Sequence, residues 1–214
     1  MNDAIVQATR TVFAFPSTEH LRRHGPRGYT GYRAYKPWLR DEFTFRCVYC
    51  LSRERWCPNG HEEFAVDHTI PQAAAPDEVC DYDNLVYACQ SCNRNRRDTE
   101  LPIDPGRVPL AAHLSVASDG TVQALTREGR CLERTCHLNR PLLVSFRRRV
   151  RGLIEFLTAR GQPEDEAIVC DLLGFPYNLP DLAAKRVPAG NTRPEGIADS
   201  YFARRQRGEL PRVY

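Results

Sequence analysis

Val66-Asp67-His68-Thr69-Ile70-Pro71 lies between two cysteine pairs, Cys47-Val48-Tyr49-Cys50 and Cys89-Gln90-Ser91-Cys92. Each C-x-x-C pair offers two thiolates from one tight turn, and two such pairs complete a tetrahedral zinc with no open position. A zinc held this way is structural, and folding is expected to depend on it. Glu63 to His68 alternates in the manner of a half-buried strand. Pro71 and Pro76 force a loop after it, and Asn84 to Ala88 reads as a second strand. Asn93 to Glu100 carries polar helix formers and begins a helix that Pro102 or Pro105 ends. The order is strand, loop, strand, helix, with the cysteine pairs flanking the strands. The fold class is therefore α+β.

Outward from this centre, Pro37 to Phe43 predicts a short helix, which places the core at residues 36–105. Residues 1–35 show little periodicity and are read as an N-terminal arm, with His24-Gly25-Pro26-Arg27-Gly28 as a turn and Tyr29, Tyr32 and Tyr35 packing on the domain. Residues 106–180 are read as a hairpin plus a helical extension. The hairpin spans residues 113–126 and turns at Asp119-Gly120. A long helix over residues 140–160 is capped by Asn139, buries Leu143, Phe146, Val150, Leu153 and Leu157, and stops at Gly161. Another helix starts at Pro163 and is terminated by Gly174 and Pro176. Residues 181–214 are read as an extended basic tail with a short helix near residues 200–207.

Apolar content of 42% and charged content of 27% mark a globular chain. No apolar run is long enough for a transmembrane helix, and residues 1–10 lack the apolar centre of a signal peptide. The expected compartment is the cytoplasm, where nine cysteines favour metal ligation or free thiols over disulfides. Cys57, His61, Cys80, Cys131, Cys136 and His137 are read as free thiols and ordinary histidines. Of the 30 basic residues, Lys36 and Lys185 alone are lysine. Arginine suits bidentate contact with phosphate, and equally follows from codon usage. Its clusters at Arg22-Arg23, Arg94 to Arg97 and Arg147 to Arg151 suit contact with a polyanion.

Val66-Asp67-His68-Thr69-Ile70-Pro71-Gln72, Asp83-Asn84-Leu85 and Cys89-Gln90-Ser91-Cys92-Asn93-Arg94-Asn95-Arg96 together resemble the HNH, or ββα-metal, endonuclease family in its paired C-x-x-C version. The stretch around His68 is also similar to the HNH nuclease domain of RNA-guided CRISPR effectors. The resemblance covers residues 46–100. It implies His68 as general base, Asp67 as metal ligand, Asn84 as the brace that orients the histidine, and Asn93 as a second metal ligand. Asn93 stands where the family often has histidine, and the resulting His-Asn-Asn triplet keeps an oxygen donor. That favours Mg²⁺ or Mn²⁺ as the catalytic cation beside the structural Zn²⁺. Arg96, where the family often has lysine, and Arg97 are candidate phosphate contacts.

The chemistry is coherent. A neutral imidazole at residue 68 can take a proton from water near neutral pH, while a hard cation relieves charge on the phosphate and the leaving oxygen. Asp67 and His68 point opposite ways along a strand, so both serve one phosphate only if the chain bends there. The resemblance implies a metal-dependent DNA endonuclease, and a weaker analogy adds a restriction or anti-phage role. DNA is the expected partner, with a second protein such as an ATPase supplying recognition or activation. The rival readings are a non-catalytic zinc module that binds nucleic acid or protein, and an RNA-cleaving toxin.

Overall fold

The computed structural model describes residues 3–214. Helix α1 spans Asp3–Arg10 and α2 spans Lys36–Glu42. Pro37 lies in the first turn of α2, where its missing N–H is not needed, and Trp38 and Leu39 are buried. Strand β1, Phe64–His68, pairs antiparallel with β2, Leu85–Cys89, in register from Phe64↔Cys89 to His68↔Leu85. Every residue of β2 is buried. Both faces of this ribbon are covered, so β2 reads as an unbroken apolar run rather than an alternation. Helix α3, Gln90–Arg96, follows at once and packs on both strands, while α2 packs on them as well. Helix α3 starts earlier than its sequence suggests and stops well before Pro102. Arg97 turns to φ 54°, ψ −133° and breaks the helix there.

Strands β3, Leu114–Val116, and β4, Val122–Ala124, form the hairpin. Gly120 in its turn has φ 88°, and a Cβ there would lie 2.6 Å from the Val144 carbonyl oxygen. Helix α4, Arg127–Thr135, was not anticipated; the Thr126 hydroxyl caps it by accepting from the Gly129 amide. Helices α5, Pro141–Arg160, and α6, Pro163–Leu173, complete the extension, with Gly161 at φ 66° ending α5. The short helices α7, Glu195–Ala198, and α8, Tyr201–Gln206, follow. Among the described residues no helix is long and apolar enough to cross a membrane.

Three expectations are corrected. Asn139 does not cap α5; its amide grips both the N–H and the C=O of Val122, clipping the helix start to β4, and Arg140 takes the N-cap position. The buried face of α5 is Leu143, Arg147, Val150, Ile154 and Leu157. It is rotated from the expected face, leaving Phe146 half-buried and Leu153 exposed. The rotation buries Arg147, expected in a basic cluster that meets a polyanion, because backbone carbonyls of Gly120 and Leu138 accept from it.

The arm and the tail are not loose appendages. Ile5, Val12, Phe13 and Phe15 are buried in the main core, and rings of Phe13, Trp56 and Phe146 meet in sequence at 5.4 and 5.6 Å. Residues 189–193 fold back on residues 24–27: Thr192 N donates to Gly25 O, Gly25 N donates to Asn191 Oδ1, and Arg193 reaches His24 O and Asp83. Phe45, Phe175 and Leu179 form a second small core with Tyr201, Phe202, Leu210 and Tyr214. The proline- and arginine-rich composition that suggested an extended tail instead supplies backbone bridging and ring stacking.

Asp41 and Glu42, both buried at the end of α2, clasp these segments together. Glu42 accepts from the His20 ring, the backbone amides of Arg23 and His24, and the Tyr82 hydroxyl. Asp41 accepts from Arg23, from His24 Nε2, and from the Tyr201 amide. Burial alone would raise the Glu42 pKa; the His20 and Arg23 hydrogen bonds and the nearby His24 and Arg22 charges bring it down from 4.5 to about 2. A folded-state pKa below the unfolded one stabilises the protein above pH 4.5, and that stabilisation is lost as pH falls toward 2. Its size is about 3 kcal/mol. Urea unfolding of wild type and Glu42→Gln should therefore differ most near neutrality and converge between pH 4.5 and 2. A gap that stays constant through that range would rule out Glu42 as the origin.

Candidate active site and zinc knuckle

The sulfurs of Cys47, Cys50, Cys89 and Cys92 all lie within 4.8 Å of one another, and all four residues are buried. Local geometry explains the convergence. Cys47 N bonds Ser52 O, Leu51 adopts φ 65° to bond Cys47 O, and Val48 N bonds Tyr87 O, which lays the first knuckle against β2. The second pair straddles the end of β2 and the first turn of α3. Four buried sulfurs this close cannot all ionise without a cation between them, and a tetrahedral Zn²⁺ fits this donor set. Arg140 Nη1 donates to Cys92 Sγ at 3.8 Å, and Ser52 Oγ, which accepts from the Cys50 thiol at 3.2 Å, could donate in turn to a Cys50 thiolate. Cys57, His61, Cys80, Cys131, Cys136 and His137 gather into no comparable group among the described residues. His61 is used by Asn178 and Glu62, and burial pushes the Cys57 thiol up to about 12.

His68 ends β1. Its Nε2 lies 3.0 Å from the Val79 carbonyl oxygen, which can only accept. Nε2 therefore carries the proton, and Nδ1 is left with the basic lone pair. The Gln72 amide stands 3.4 Å from Nδ1, and the Tyr32 ring packs edge-on at 4.7 Å. Asn84 fixes the loop that supplies Val79: Oδ1 accepts from the Thr69 hydroxyl and the Ile70 amide, and Nδ2 donates to the carbonyls of Ile70 and Glu78. His68 itself is 5% exposed.

Asp67 faces the other side of the ribbon. Oδ1 accepts from Arg96 Nη1 at 2.8 Å and from the His68 amide at 2.9 Å, and Oδ2 accepts from the Tyr49 hydroxyl at 2.7 Å. Burial raises the Asp67 pKa, with Arg96 and Tyr49 opposing it. Arg96, expected to reach phosphate, is 1% exposed and donates its second arm to the Thr69 carbonyl. Arg96 thus bolts α3 to the end of β1. Arg97 and Arg94 are exposed, and Asn93 is half-exposed in the first turn of α3. With both oxygens engaged and its charge matched by Arg96, Asp67 as arranged does not fit a divalent cation.

The HNH endonuclease family model matches residues 47–99. This segment is an HNH domain. The match runs from the first zinc-knuckle cysteine through β1, β2 and α3, so the HNH domain occupies the centre of the α+β fold and leaves α1, α2, α4 to α8 and the β3–β4 hairpin outside it. No curated protein and no solved structure matches the chain. Beside the HNH loop, a cleft of 170 Å³ is lined by Thr69, Asn84 and five carboxylates, of Glu78, Asp81, Asp83, Glu100 and Asp104. Arg107 also lines it and pairs with Asp104, and Arg193 pairs with Asp83, so the surplus charge of the cleft is negative.

The Asp67–Arg96 pair is buried on both partners. Arg96→Met would leave Asp67 as an uncompensated buried charge, and it should cost about 3–5 kcal/mol in chemical unfolding. Adding Asp67→Asn should recover part of the loss. Additive losses in the double variant would show that the pair is not the bolt.

Proposed function

We propose that the HNH domain hydrolyses DNA phosphodiester bonds with His68 Nδ1 as general base. The observation that carries this reading is the Val79 carbonyl on His68 Nε2, which leaves the proton-accepting lone pair on Nδ1, contacted only by the long 3.4 Å bond from the Gln72 amide. The family match supports a nuclease-type domain around it. Asn84 holds the loop that sets the tautomer, and exposed Arg94 and Arg97 supply positive charge for the DNA backbone. In this reading a Mg²⁺ or Mn²⁺ would use half-exposed Asn93 and would require Arg96 to leave Asp67.

One observation favours a second reading. Asp67 is spent on Arg96, Tyr49 and the His68 amide, which is what a non-catalytic zinc-containing binding module would tolerate. Incubating supercoiled plasmid with the purified chain, with and without Mg²⁺ or Mn²⁺ and with RNA in parallel, separates the readings. Metal-stimulated nicking of DNA supports the first. DNA binding without cleavage of either polymer in any metal supports the second.

A further inference from the structure

Arg147 is 1% exposed, yet among the described residues no carboxylate pairs with it. Nη1 donates to the carbonyls of Gly120 and Leu138 at 3.2 and 2.9 Å, while Nε and Nη2 are buried without an acceptor. A guanidinium removed from water needs a compensating negative charge nearby. The Leu138 carbonyl that Arg147 grips follows directly on those of Cys136 and His137, which accept from Arg140, so one turn of chain holds both guanidiniums beside the cysteine cluster. Burial pulls the Arg147 pKa down, and the sulfurs of Cys50, Cys92 and Cys47 oppose it. Arg140, seven residues earlier at the N-cap of α5, touches the cluster itself. Its Nη1 lies 3.8 Å from Cys92 Sγ and also donates to the carbonyls of His137 and Cys136.

Four thiolates around one Zn²⁺ carry a formal charge of two minus, and Arg140 and Arg147 carry two plus. We propose that these two arginines are the counter-ions of the loaded zinc knuckle, and that the negative charge of the knuckle seats α5 against the HNH domain. This rests on the reading of the four cysteines as a zinc site. Neither arginine lies within residues 47–99, so the coupling is a property of this chain's own extension. Zinc retention and α5 docking are then reciprocally linked: weakening either weakens the other. An arginine that merely ties two carbonyls together would leave zinc binding untouched.

The test uses the full chain. Zinc content by mass spectrometry comes first: a wild-type chain without zinc sinks the reading of the knuckle. With zinc present, its rate of transfer to a chromogenic chelator is compared among wild type, Arg140→Met, Arg147→Met and Arg147→Lys. Both methionine variants should release zinc about tenfold faster or more, as expected for lost outer partners of metal ligands. Arg147→Lys, which keeps the charge, should stay nearer wild type. Arg140 is only half-buried, so Arg140→Met decides the matter if Arg147→Met does not fold. In the cobalt-substituted protein, Arg140→Met should also shift the sulfur-to-metal charge-transfer band. Zinc transfer at the wild-type rate together with an unshifted cobalt spectrum in Arg140→Met overturns the counter-ion role while leaving the zinc site standing.

Discussion

Replacing Cys89 and Cys92 together by serine should unfold the HNH domain and abolish zinc content. The ribbon that carries His68 is two five-residue strands, and the helix that closes it has seven residues. A two-stranded hairpin of that size is marginal by itself, and a two-turn helix is too short to form unaided. The sulfurs converge at the Phe64–Cys89 end of the ribbon, two from the knuckle before β1 and two from the end of β2 and the start of α3, so one ion holds the first knuckle, β2 and α3 in register. Structural zinc in such a site contributes on the order of 10 kcal/mol, comparable with the whole stability of an ordinary domain. Far-UV circular dichroism and zinc content should fall together in the double serine variant, and a strong chelator should do the same to the wild type. Cys131→Ser is the control: that cysteine lies outside the cluster and is half-buried, so its loss should change neither quantity. A double serine variant with native dichroism would show that packing alone holds the ribbon.

The central unit was legible because its signals are local and chemical. Two C-x-x-C pairs, an alternating strand at Phe64–His68 and an apolar run at Leu85–Cys89 each state their structure within a few residues. The hairpin and the ends of α5 and α6 were legible for the same reason, since Gly120, Gly161 and Pro163 punctuate them. What failed was everything set by distant partners. An arginine at residue 96 or 147 reads as a surface charge, and nothing nearby in sequence announces that Asp67 or a pair of carbonyls waits for it. Residues 181–214 look like a tail because their bridging partners lie at residues 24–27 and 83. Helix α4 was missed because its few apolar residues, chiefly Leu132, face the core from a highly charged segment. For the candidate site, His68 and Asn84 were found from the motif, whereas Val79, Tyr32 and Tyr49 touch the site through backbone or ring contacts that carry no motif.

His68→Ala should lower DNA cleavage by about 10²–10⁴-fold, the range lost when a positioned general base is removed. The Val79 carbonyl holds the ring by Nε2, so in the proposed hydrolysis Nδ1 is the nitrogen that would take the proton from the attacking water. Four other histidines are engaged elsewhere: His20 and His24 with Glu42 and Asp41, His61 with Asn178 and Glu62, and His113 with Thr126. Alanine also opens a hole beneath Tyr32, because the histidine is buried against that ring. His68→Gln, nearer in volume, therefore serves as the companion variant. Both should keep wild-type zinc content and dichroism while losing cleavage, and added imidazole should restore part of the activity of His68→Ala by filling the vacated space. The proton path also requires Nδ1 to shed its contact with Gln72, a long bond at 3.4 Å. Gln72→Ala should therefore leave the rate within a few-fold of wild type, since a hydrogen bond of this kind is worth about 1 kcal/mol at most. Plasmid nicking by His68→Ala at the wild-type rate would place the base elsewhere and leave the buried histidine as a prop for Tyr32 and the Val79 loop.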